Sequence, residues 1–137
     1  MRFSLRTLLV ALTAYAVAFG AMAYAIYGPS RARGALPWSA TNIHEHYHDF
    51  GIIPDFTRLI RANIAEDEFD RYATRLGLRR SYSTDPEPMV GWPRCDEPWW
   101  NPPDDLTDAR YDYSDGDDYY AIAVYHDGSV YFAATAW

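Results

Sequence analysis

Three histidines recur at every second position in His44-Glu45-His46-Tyr47-His48-Asp49. On an extended strand this spacing sets the imidazoles on one face, with about 7 Å between residues i and i+2. Neighbouring imidazoles at that spacing can share a metal ion, and zinc takes three nitrogen ligands plus water at catalytic sites. His44, His46 and His48 are therefore the candidate ligands for a divalent metal, held by a binding module or a metal-dependent enzyme. The plainer reading, preferred here, is a strand that shows polar, titratable residues to solvent. No fourth ligand is identifiable, because the remaining histidine, His126, falls in a separate segment. No cofactor is predicted on that ground.

A second constellation is aromatic. Trp92, Trp99 and Trp100 stand among prolines in Trp92-Pro93 and Pro98-Trp99-Trp100-Asn101-Pro102-Pro103. Flat indoles stack on sugar faces, so the three are the candidate glycan-binding residues of a domain that meets the cell wall. Large aromatics in a small domain more often cover its core, and the preferred expectation is that the indoles are tucked under. Asp104, Asp105, Asp108, Asp112, Asp115, Asp117 and Asp118 offer oxygen ligands of the kind calcium prefers. With Gly116 at the glycine position of an EF-hand loop, its first and third positions would be Tyr111 and Tyr113, which lack carboxylates. A solvated acidic loop is the better reading. Cys95 is the only cysteine, lies between Arg94 and Asp96, and cannot form an intrachain disulfide. There is no G-x-S-x-G elbow, no H-E-x-x-H and no P-loop, which argues against an enzyme.

The N-terminus decides location. Leu8–Tyr27 is a run of twenty residues without a charge, preceded by Arg2 and Arg6. A helix of that length covers about 30 Å, the thickness of a bilayer's hydrocarbon core. Positive charge before the run keeps that end in the cytoplasm. Residues 1–27 are then a single-pass anchor, residues 28–37 a linker, and residues 38–137 an extracytoplasmic domain. The alternative is a cleaved signal peptide with Ala21-Met22-Ala23 as its cleavage site, which would leave a secreted domain. The run continues through Tyr24–Tyr27, longer than a signal needs, which favours the retained anchor.

The elements that would position these residues follow from periodicity. Residues 40–50 alternate as a strand, and Phe56–Ile64 reads as a second one. Glu66-Asp67-Glu68 opens a helix whose apolar face is Phe69, Tyr72, Ala73 and Leu76, closed by Gly77. Residues 81–110 hold six prolines and are expected to be irregular. Tyr119–His126 and Ser129–Ala136 flank Asp127-Gly128, the pair favoured in a type I′ hairpin turn, with Ala123 opposite Phe132 and Val124 opposite Tyr131. The expected fold class is α+β: an N-terminal transmembrane helix, then a small antiparallel sheet with one packed helix and a terminal β-hairpin.

The opening Phe3-Ser4-Leu5-Arg6-Thr7-Leu8-Leu9 resembles the start of small single-span membrane-anchored proteins of planctomycete type. In those, an FSLRTLL-like segment leads into one membrane helix and then an exported, uncharacterised domain. Leu36–Leu78, opening LPxSAxNI, is similar to short exported domains of unknown function. Both resemblances imply location and carry no functional residues. The H-x-H spacing resembles that of metal-binding barrels such as cupins over these few residues alone, without a cupin's downstream glutamate and glycine. With 19 acidic residues against 12 basic ones and a net charge of −7, the chain repels phosphate backbones, so nucleic acid is excluded as a partner. The expected partners are the lipid bilayer through residues 8–27 and an envelope protein or cell-wall component. The expected function is binding or structural and non-catalytic.

Overall fold

A computed structural model describes residues 5–27, 30–50, 56–80, 92–104, 106, 109–114 and 119–136. It forms two compact units, one ending at Ser30 and the other beginning at Arg31. The first unit is helix α1, Leu5–Tyr27, with 23 residues. Leu8, Leu9, Val10, Leu12, Val17 and Phe19 are all exposed along it. Among the described residues no helix is long and apolar enough to cross a membrane. Side chains of α1 are described only from Arg6 to Met22, so they stop short of the apolar run that ends at Tyr27. The structure therefore lends the spanning helix no support of its own.

The second unit begins with a short helix, α2 (Arg31–Gly34). It continues through strands β1 (Thr41–Asp49) and β2 (Phe56–Asn63), then helix α3 (Glu66–Leu76). Strands β3 (Arg79–Arg80), β4 (Arg110–Ser114), β5 (Tyr119–His126) and β6 (Ser129–Ala136) complete it. The strands make one sheet in the order β1-β2-β6-β5-β4-β3, with every neighbouring pair antiparallel. This architecture is α+β.

Local chemistry accounts for the elements. Asp127 and Gly128 both take positive φ, 46° and 75°, as a type I′ turn requires, and they join β5 to β6 with Ala123 opposite Phe132. Helix α3 has three acidic residues in its first turn and no side-chain cap on Ala65, so those carboxylates complement the helix dipole. It ends at Gly77, whose φ of 82° lets its N–H reach the carbonyls of Ala73 and Thr74. Strand β1 carries an irregularity between Thr41 and His44, where Asn42 takes a φ of 50°.

Alternation along the strands gives the sheet two buried faces. Ile60, Ala62, Ala121, Ala123, Val130, Phe132 and Ala134 point to one face and pack with Phe69, Tyr72 and Ala73 of α3. Ala32, Ala35 and Leu36 join the same cluster. Arg31–Leu36, expected to belong to a Gly-, Pro- and Arg-rich linker over residues 28–37, is thus part of the domain. Leu59, Tyr120, Ile122, Val124, Tyr131 and Ala133 point to the other face. Among the described residues no helix covers them. Residues 92–104 and Leu106 do, as a strap without regular structure.

Strand β4 begins at Arg110 and runs on to Ser114, where the acidic content of the sequence favoured a solvated loop. Asp112 therefore lies in a strand, whereas Asp105, Asp108, Asp115, Asp117 and Asp118 lie outside the described residues. Within the proline-rich stretch, the described residues before Arg110 are irregular as expected.

Candidate functional site: the histidine face of β1 and its strap

His44, His46 and His48 share one face of β1, and His46 and His48 stand opposite Leu59 and Thr57 of β2. Because Leu59 belongs to the strap-side cluster, the histidines look toward the strap. Glu45 takes the opposite face and meets two guanidiniums, Arg58 at 3.2 Å and Arg33 at 3.6 Å. It is a structural anion between α2 and β2, separate from the histidine site.

The strap is held by its own indoles. Trp92 Nε1 donates to the Pro103 carbonyl at 2.7 Å, and Trp100 Nε1 donates to the Pro93 carbonyl at 3.2 Å. Prolines lack a backbone donor but keep a carbonyl, so they suit acceptor positions within such a strap. Trp100 is buried and meets Trp92, Trp99 and Tyr131 edge-on, with ring centroids 5.6 to 6.0 Å apart. Arg61 of β2 ties the strap to the sheet, donating to the Trp99 carbonyl at 3.0 Å and to Asn101 Oδ1 at 2.8 Å.

This packing separates the three histidines. The His44 ring stacks on Trp99 with centroids 5.3 Å apart and planes 16° apart. The His46 and His48 rings are parallel to within 4°, with centroids 6.5 Å apart. Two imidazoles that share zinc must aim nitrogens at a point about 2.1 Å from each. Parallel rings at this separation do not converge in that way. Among the described residues, no group of three or more His, Cys, Asp or Glu side chains is placed to hold a metal ion.

The geometry builds a cleft instead. His46 and His48, with Phe50, Thr57 and Leu59, line a cavity of about 440 Å³ whose other wall is Arg94, Cys95, Asp96 and Glu97. His46 Nδ1 lies 3.6 Å from Glu97 Oε1, an ion pair when the imidazole is protonated. The exposed Phe50 ring meets His48 edge-on at 4.4 Å. A second cleft of about 490 Å³ lies on the strap itself and shares Arg94, Cys95 and Asp96 with the first.

No protein family, curated protein or solved structure gives a match to this chain.

Of the residues singled out from sequence, the fold brings His46 and His48 together with Cys95. It sends His44 to Trp99. It gives Trp92, Trp99 and Trp100 packing partners, Trp100 being buried and the other two half-buried. The buried Trp100 is closed to a sugar, whereas Trp92 and Trp99 keep part of their surface exposed. Sequence reasoning missed Glu97, Phe50 and Leu59 as cleft walls. Leu59 had a usable signal, since pairing β1 with β2 puts it beside His46. Glu97 had none, because an irregular strap has no period.

Proposed function

We propose that this chain is a membrane-anchored extracytoplasmic binding domain, non-catalytic, whose ligand site is the cleft between β1 and the strap. The cleft itself carries the reading: titratable groups of both signs, His46, His48 and Arg94 against Asp96 and Glu97, ring an apolar floor of Phe50 and Leu59. Charges of both signs beside an apolar floor suit a zwitterionic, peptide-like segment of an envelope protein or cell-wall component better than a lone ion. The anchor is the charge-free run Leu8–Tyr27 with Arg2 and Arg6 before it, taken over its full length. The FSLRTLL-like opening supports the same location.

The test is a titration of the full chain in phosphatidylcholine nanodiscs with cell-wall stem peptides and short synthetic peptides. Ring resonances of His46 and His48 are expected to shift, and Cys95 to be shielded from alkylation. Glu97→Ala is expected to weaken binding about tenfold, the loss of one charge-assisted contact. Peptides that leave both histidine signals unmoved would remove the cleft as the site, and turnover of the peptide would make the domain an enzyme.

A further inference from the structure

The chain has five tryptophans, and one of them is out of place. Trp92, Trp99 and Trp100 are packed in the strap, while Trp38 is fully exposed at 105% of its reference area. Its backbone is nonetheless fixed. Leu36 and Ala35 before it are buried in the core, and the Ala40 N–H closes a turn onto the Pro37 carbonyl at 3.0 Å. Ser39 Oγ, next in the chain, donates to Glu68 of α3 at 2.5 Å. The domain thus holds a whole indole outward on a rigid base. An indole is amphipathic, with an apolar body and one N–H donor, and its favoured surroundings are a membrane–water interface.

The length of chain says which surface is near. Only Gly28, Pro29 and Ser30 separate the end of the apolar run from Arg31, where the domain begins. Four residue steps reach at most about 14 Å even when extended. If Tyr27 lies at the outer edge of the hydrocarbon core, Arg31 lies within or just above the headgroups. We propose that the Arg31–Trp38 segment is a bilayer-contact surface, with the Trp38 ring at headgroup depth and the exposed Arg31 meeting lipid phosphate. The occupant is the outer leaflet that the anchor itself crosses, so this inference rests on the anchor reading. With a net charge of −7, the chain gains little from an anionic surface, and the indole carries the contact on zwitterionic lipid.

The experiment compares the full chain and Trp38→Phe in phosphatidylcholine nanodiscs whose lipids carry a nitroxide near the headgroup or near the chain end. Because Trp38 has no packing partner among the described residues, the variant should keep its far-UV circular dichroism. In the full chain the headgroup-proximal nitroxide is expected to quench at least twice as much tryptophan emission as the deep one. That quenched component should disappear in Trp38→Phe. Equal quenching in both proteins would overturn the contact. Alkaline carbonate extraction separates the two failures: a chain that leaves the membrane removes the anchor and this inference together. A chain that stays while Trp38 is unquenched removes this inference alone.

Discussion

The two faces of the sheet are closed by different kinds of chain. On one, α3 lays Phe69, Tyr72 and Ala73 over Ala-rich positions of β5 and β6, a helix against small side chains. On the other, a strap without regular structure lays three indoles over Tyr120, Ile122, Val124 and Tyr131. A helix satisfies its own backbone groups and needs only an apolar stripe. A strap must find a partner for each buried polar group, and here indole N–H groups, proline carbonyls and Arg61 supply them. The strap face leaves clefts, and the candidate site is lined by strap residues other than the indoles that pin it.

The comparison breaks most visibly at Trp100. Trp100→Ala removes the ring that meets Trp92, Trp99 and Tyr131, and large-to-small changes of a buried tryptophan cost about 3–5 kcal/mol. Denaturant unfolding of the variant is expected to show that loss, along with faster alkylation of Cys95 as the strap loosens. A loss below about 1 kcal/mol would mean that the sheet stands without its strap.

A smaller effect tests how the helix side is fastened to the sheet. Arg110, buried at the start of β4, reaches Asp70 of α3 at 2.6 Å and lies over the Phe69 ring at 5.4 Å. Asp70 is largely exposed, so solvent replaces part of its contribution. Asp70→Ala is expected to cost about 1–2 kcal/mol, mainly by weakening the hydrogen bonding of a buried guanidinium. The readout is the denaturation midpoint, with Asp67→Ala, one turn away in charge but not placed on Arg110, as the control.

What was legible in the sequence follows the same division. The bounds of α3, the Asp127-Gly128 turn and the β5–β6 register are local, set by residues within one period or one turn of each other, and each stands where periodicity placed it. The pairing of β2 with β6 joins segments far apart in sequence, and no local pattern encodes it. Residues 28–37 read as linker because glycine, proline and arginine dominate them, although Ala32, Ala35 and Leu36 are buried. Three alternate histidines were legible as one strand face. Their partners were not, since Trp99 claims His44 and Glu97 claims His46 through a strap whose path has no periodicity.

The smallest expected change lies at the centre of the helix face. Tyr72 is buried against Phe132, and its hydroxyl has no hydrogen-bond partner among the described residues. Burial first, and then the negative charge of Glu45, push its phenol well above the ordinary tyrosine range. The unfolded chain releases this proton near pH 10, whereas the folded chain keeps it. Below that pH the group adds no pH dependence. Above it the unfolded state is favoured, and stability falls by up to about 1.4 kcal/mol per pH unit from this residue. Tyr72→Phe keeps the ring and deletes an unsatisfied hydroxyl, so at pH 7 it is expected to be neutral or to gain up to about 1 kcal/mol. Its unfolding free energy should also decline less steeply between pH 10 and 11 than that of the parent chain. A loss of more than about 1 kcal/mol at pH 7 would show that the hydroxyl has a partner after all, most simply an ordered water. The helix face would then carry a buried polar contact of its own, and its contrast with the strap face would narrow.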